Sequence, residues 1–156
     1  MSILNQKTLK QKVKFEGIGL HTGKEVSVTV YPARTNTGII FRRIDIKNNN
    51  IVLPNVFNVT NATLCTTISN ESGVSVSTIE HLMAAMYGLG IDNALIEINS
   101  QEVPIMDGSA KIFIERFLEA GFETSEVPIK LIKIINEVGV QEDSKYISIG
   151  KSNVSL

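Results

Sequence analysis

A carboxylate next to an imidazole can move a proton and ligate a metal from one short stretch of chain. One such pair, Glu80-His81, closes the segment Ser77-Thr78-Ile79-Glu80-His81. Two readings of it compete. In the structural one, Ser77 caps a helix and Glu80, three residues on, reaches back to complete a capping box, so that each side chain satisfies an orphan backbone donor. In the catalytic one, neighbouring residues diverge by about 100° around a helix, so His81 binds a metal while Glu80 reaches past it to a metal-bound water. Zinc brings the pKa of such a water to about 7, and the carboxylate takes its proton as the water attacks a carbonyl. Unlike H-E-x-x-H, the pair supplies a single ligand, and alone it does not choose between the readings.

Four other places carry groups of interest. His21 lies in Gly17-Ile18-Gly19-Leu20-His21-Thr22-Gly23, where three glycines in seven residues permit unusual dihedrals and close approach of a phosphate or sugar. The plainer alternative is a hydrogen-bonded histidine in a strand-connecting turn. In Pro104-Ile105-Met106-Asp107-Gly108-Ser109, Asp107 or Ser109 suits the cap of a following helix. Cys65 reads as a small buried hydrophobe. Arg42 and Arg43 end a strand and suit either a phosphate or solvent.

Those groups need a scaffold, and the composition provides for one. At 156 residues with 43% hydrophobic side chains, the chain can bury one domain and carry a piece of a second. Fifteen basic residues against sixteen acidic ones, net charge -1, argue against a nucleic-acid-binding surface. No apolar run reaches the roughly 18 residues of a membrane span. The start MSILNQKTLKQK has no apolar core of a secretory signal, so a cytoplasmic location is expected. A single cysteine excludes an internal disulfide and a cysteine-built zinc site.

The first 70 residues alternate apolar with polar, which predicts short antiparallel strands, clearest at 13–15, 26–31 and 38–43. From Ser77 the period turns helical, with Ile79, Leu82, Met83, Met86 and Leu89 at three- and four-residue spacing. A helix over about 78–88 follows, stopped by Gly88 or Gly90. A strand is expected over 94–98 and a second helix over about 109–120, capped by Gly121. Beyond Thr124 strand character returns, with extended segments over 129–140 and 146–149 around a turn at 142–145. Such a segment cannot bury a face by itself. The expectation is a first domain over 1–124 and the opening strands of an incomplete second domain over 125–156.

Taken together, five blocks resemble one family, the bacterial UDP-3-O-acyl-N-acetylglucosamine deacetylases of lipid A synthesis. They are QKTLKQKV (6–13), GIGLHTG (17–23), NTGIIFRR (36–43), STIEHLMAAMYGLGIDN (77–93) and EVPIMDGSA (102–110), in that order. The resemblance implies an α+β fold, a two-layer α/β sandwich whose mainly antiparallel sheet carries two helices, followed by the first strands of a second similar domain. It implies Zn2+ as cofactor, His81 as a zinc ligand, and Glu80 as the general base that hydrolyses the substrate's acetamide. It places His21, Cys65 and Asp107 near the cleft or in support of it.

The likeness also implies what is lacking. The family's remaining zinc ligands, a histidine and an aspartate in H-K-x-x-D, come from a second half, and no such motif occurs in this chain. The histidine that protonates the leaving amine and the apolar passage for the acyl chain belong to that half too. The expected partner is therefore the missing C-terminal half, and the chain by itself is expected to be inactive. The rival expectation is a non-catalytic, truncated or scaffold domain that associates through unpaired strands.

Overall fold

The computed structural model describes residues 4–152. Its main sheet has five strands: β2 (Val13–Ile18), β3 (Glu25–Pro32), β4 (Ile39–Arg43), β5 (Ile51–Val52) and β9 (Ala94–Ile98). They lie in the order β2-β3-β9-β4-β5. Every pairing is antiparallel except β4 with β9. A strand presents alternate residues to opposite faces. Hence Val26, Val28 and Val30 of β3, with Ala94, Ile96 and Ile98 of β9, form one buried apolar surface.

Two helices supply the second layer. Helix α1 (Glu80–Leu89) buries Leu82, Ala85 and Met86, and ends at Gly90 in the left-handed conformation that glycine tolerates best. Helix α2 (Lys111–Ala120) buries Phe113 and Phe117 and stops at Gly121. Phe15 of β2 meets Phe113 at 4.9 Å and Phe117 edge-on at 5.6 Å. These aromatic pairs anchor α2 to the sheet. The expected α+β architecture is thus realised, with two helices on a mainly antiparallel sheet.

Three smaller pairings complete the fold. β1 (Asn5–Leu9) pairs with β10 (Phe122–Pro128), a strand that spans the boundary expected at residue 124. β6 (Val59–Asn61), β7 (Thr67–Ser69) and β8 (Ser75–Val76) form a three-stranded sheet leading into α1. β11 (Val138–Glu142) and β12 (Lys145–Ile149) form a hairpin on their own. Residues 129–137, expected to be extended, hold no strand. No helix among the described residues is long and apolar enough to cross a membrane.

Candidate functional site at the start of helix α1

The sequence favours a helix from Thr78 capped by Ser77, but the helix begins two residues later, at Glu80. Thr78 has φ +57°, a value that crowds a β-branched side chain and lies outside the right-handed helix. The capping box does not form. Ile79 occupies the cap position without a side-chain bond. The Ser77 hydroxyl donates instead to the Gln101 carbonyl at 3.2 Å. Glu80 is released from capping, and its Oε2 accepts from the Thr66 amide at 3.0 Å.

The small sheet explains why Thr66 is there. Ile68 pairs with Val76 and Ser69 with Ser75. Continuing that register sets Thr66 opposite Thr78, within reach of the first turn of α1. Glu80 and His81 are both half-buried. The Cys65-Thr66 segment and the Glu80-His81 pair are therefore neighbours through one hydrogen bond, although 14 residues separate Thr66 from Glu80.

The glycine-rich turn reaches the same place by another route. Glu102 is fully buried. Its Oε1 accepts from the His21 amide at 2.9 Å and the Thr78 hydroxyl at 3.0 Å, and its Oε2 accepts from the Thr22 amide at 2.9 Å. A Cβ on Gly19 would collide with this carboxylate and with the Thr22 hydroxyl. The close approach that the glycines permit is thus taken by an anion of the chain itself. Burial pushes the Glu102 carboxyl up, but the bonds it accepts, led by the His21 amide and then by Thr22 and Thr78, outweigh that and hold it below its ordinary value. It is the backbone of His21 that is engaged here, while the residue itself is exposed.

Sequence reasoning passed over Glu102. It stands inside a quoted block, but its partners lie 81, 80 and 24 residues away, and no local periodicity marks it. Its one legible sign is an acid immediately before Val103-Pro104, where an apolar face begins.

The remaining candidates fall away from this centre to different degrees. Asp107 is exposed, and its Oδ1 accepts from the Ser109 amide and hydroxyl at 3.0 and 2.9 Å. The Ser109 hydroxyl in turn accepts from the Lys111 amide at the start of α2, at 3.0 Å. The Ser109 hydroxyl, more than any other contact, holds the Asp107 carboxyl below the usual range. Its loop meets the glycine-rich segment through the Ile105 amide on the Ile18 carbonyl, 3.0 Å, with Pro104 and Met106 lying against Gly17. Cys65 is half-buried rather than buried, with its sulfur 3.7 Å from the Thr67 hydroxyl.

Arg43 does not end its strand in solvent. It is buried, forks onto Asp45 at 2.8 and 2.6 Å, and donates to the Ser75 carbonyl at 2.7 Å. That guanidinium keeps the Asp45 carboxyl low. Arg42 pairs with Glu97 across the sheet. Both arginines are thus engaged within the protein, which leaves neither as a free phosphate partner.

A catalytic zinc needs about three protein ligands and an open position. Among the described residues no three histidine, cysteine, aspartate or glutamate side chains converge to hold a metal ion. These residues do not by themselves fit a complete zinc centre.

Against known proteins, residues 6–155 match the family model described as UDP-3-O-acyl N-acetylglycosamine deacetylase. Curated proteins named UDP-3-O-acyl-N-acetylglucosamine deacetylase are similar at close to half of the aligned positions. The one from Wigglesworthia glossinidia brevipalpis is 45% identical over 152 residues, 97% of this chain and 51% of its own length. That of Pasteurella multocida is 46% identical over 145 residues, 92% of this chain and 47% of its own. That of Vibrio cholerae is 44% identical over 145 residues, with the same coverage. The chain spans about half the length of the curated relatives it matches.

Proposed function

The chain belongs to the UDP-3-O-acyl N-acetylglycosamine deacetylase family, and on that premise we propose that it carries the general base and one metal ligand of a hydrolase. The reaction is removal of the N-acetyl group from UDP-3-O-acyl-N-acetylglucosamine in lipid A biosynthesis, in the cytoplasm. Water adds to the acetamide carbonyl, the C–N bond breaks, and the free amine and acetate leave.

The observation that carries this reading is the release of Glu80 from capping. One oxygen is anchored on the Thr66 amide, while Oε1 accepts no hydrogen bond from the described residues and is open to a water. A base anchored at one oxygen is oriented without losing its capacity to accept a proton. The carboxylate takes a proton as the water attacks, and the departing amine takes its proton from the histidine that the family resemblance places in the second half. His81, next to it on the first turn, offers one nitrogen to a cation.

Zinc is the cofactor this reading calls for, and when bound it supplies Lewis acidity and a more acidic water. The other ligands it needs lie outside the described residues. His21 and Cys65 flank the approach through the Glu102 and Thr66 contacts, and Asp107 shapes the neighbouring loop. Beyond β10, which stays paired with β1 as far as Pro128 and so moves the boundary past the expected residue 124, the chain reads as the opening of a second sandwich, with the β11–β12 hairpin as its first strands.

Mutation in a protein of the relatives' full length tests the proposal. Glu80→Ala is expected to lower turnover about 10²- to 10⁴-fold with zinc content retained, while His81→Ala loses the zinc. Full turnover in Glu80→Ala would remove the carboxylate from the mechanism.

A further inference from the structure

We propose that Glu102 is a positioning residue, a buried carboxylate that clamps the His21–Thr22 turn to Thr78 and thereby sets the direction in which Glu80 and His81 leave the start of α1. This rests on the roles given above to Glu80 and His81. Glu102 is the one buried carboxylate among the described residues. No ion pair among those residues involves it. A buried charge without a counter-ion is costly unless hydrogen bonds replace its hydration, and here two amides and a hydroxyl do so. A well-packed apolar side chain would serve stability as well or better. What the carboxylate adds is direction, since it joins three segments at fixed distances.

The direction falls on the strained residue. Thr78 sits at φ +57°, two residues before Glu80. A β-branched residue persists in that region only when its surroundings over-determine it. The Glu102 bond to its hydroxyl is such a restraint, and the Ser77 amide on the Gln101 carbonyl with the Val103 amide on the Ser77 carbonyl, 2.8 and 3.0 Å, holds the adjoining backbone. Without the carboxylate, Thr78 can relax toward negative φ, the first turn of α1 rotates, and the Glu80–Thr66 bond is the first contact downstream to give way. Gly19 belongs to the same device, because any side chain there would fill the space that the carboxylate occupies.

The test reads the Thr66 amide by NMR in the 156-residue chain. Glu102→Gln keeps the shape of the side chain but turns a donor toward a donor, and Thr78→Val keeps the branching but removes the hydroxyl. Each is expected to move the Thr66 amide proton upfield and to speed its hydrogen exchange about tenfold. The double variant should change it by less than the sum of the two, because both act through one contact. Phe117→Leu, which destabilises the core from α2, should leave the Thr66 shift in place.

In a protein of the relatives' length, Glu102→Gln should lower kcat by up to about a hundredfold, with little change in KM. An unmoved Thr66 amide in Glu102→Gln, an equal shift in Phe117→Leu, or additive effects would overturn the clamp. So would unchanged kcat in an enzyme that Glu80→Ala inactivates. If Glu80→Ala itself left turnover intact, the hydrolase reading would fail while the amide measurement still judged the clamp.

Discussion

The unit from Asn5 to Pro128 and the hairpin from Val138 to Ile149 are written in the same alternating pattern and meet opposite fates. In β3, Val26, Val28 and Val30 share one face and are at most 4% exposed. In the hairpin, Val138 pairs with Ile149 and Val140 with Ile147, which gathers four apolar side chains on one face just as well. Yet Val138 is 60% exposed and Ile147 73%. The difference is the second layer. α1 and α2 cover the β3 face, whereas every residue of 138–149 is exposed. Alternation decides which residues share a face, and only a packed partner converts that face into stability.

The sharpest way to break the comparison is to excavate the first unit. Phe117→Ala, which removes a fully buried ring packed on Phe15, should cost about 3–5 kcal/mol in denaturant unfolding of the chain. A cost below about 1 kcal/mol would mean that the helix layer is not what stabilises the sheet.

Acid sharpens it next, at the Glu102 clamp inside the same unit. The folded carboxyl is held below its ordinary value, 4.5, so on acidification the unfolded chain takes up the proton first. The stability it contributes is complete above that ordinary value and is lost as pH falls through the lower, folded one. Melting temperatures taken from about pH 6 down to pH 3 should therefore fall more steeply for the wild type than for Glu102→Gln. Other depressed carboxyls, such as Asp45 and Asp107, are present in both proteins and cancel. Parallel curves would show that the carboxylate draws no net benefit from its three donors.

The smallest effect belongs to the hairpin. Ile147→Ser should leave the main unfolding transition within about 0.5 kcal/mol, since the side chain it shortens is already in water. A loss comparable to that of Phe117→Ala would show that the hairpin face is covered after all, and the contrast between the two regions would vanish.

Much of the scaffold was legible in the residues. The strand expected over 94–98 is β9. Both helices end at glycines: Gly121 is the one the cap rules pick out, and Gly90 is one of the two they offer for the first helix, the other, Gly88, lying within it. The helix starts were misread, because Ser77 and Glu80 have the spacing of a capping box and Thr78 carries no sign of a left-handed conformation. Asp107 and Ser109 came closer to expectation, with the hydroxyl meeting the first amide of α2. For Arg43 the sequence offers a strand end that meets either a phosphate or solvent, whereas tertiary packing encloses it with Asp45 and Ser75.

What the residues determine by themselves is local: which side chains share a strand or helix face, where glycine ends a helix, and, through blocks kept in order, membership of a family. Whether Glu80 spends its oxygens on its own helix or on Thr66, whether Thr78 is strained, and whether Glu102 faces solvent or three donors were decided only when strands distant in sequence paired. The reason is that a hydrogen bond depends on distance in space. The turn at His21 and the acid at Glu102 are 81 residues apart along the chain and become neighbours only through the fold between them.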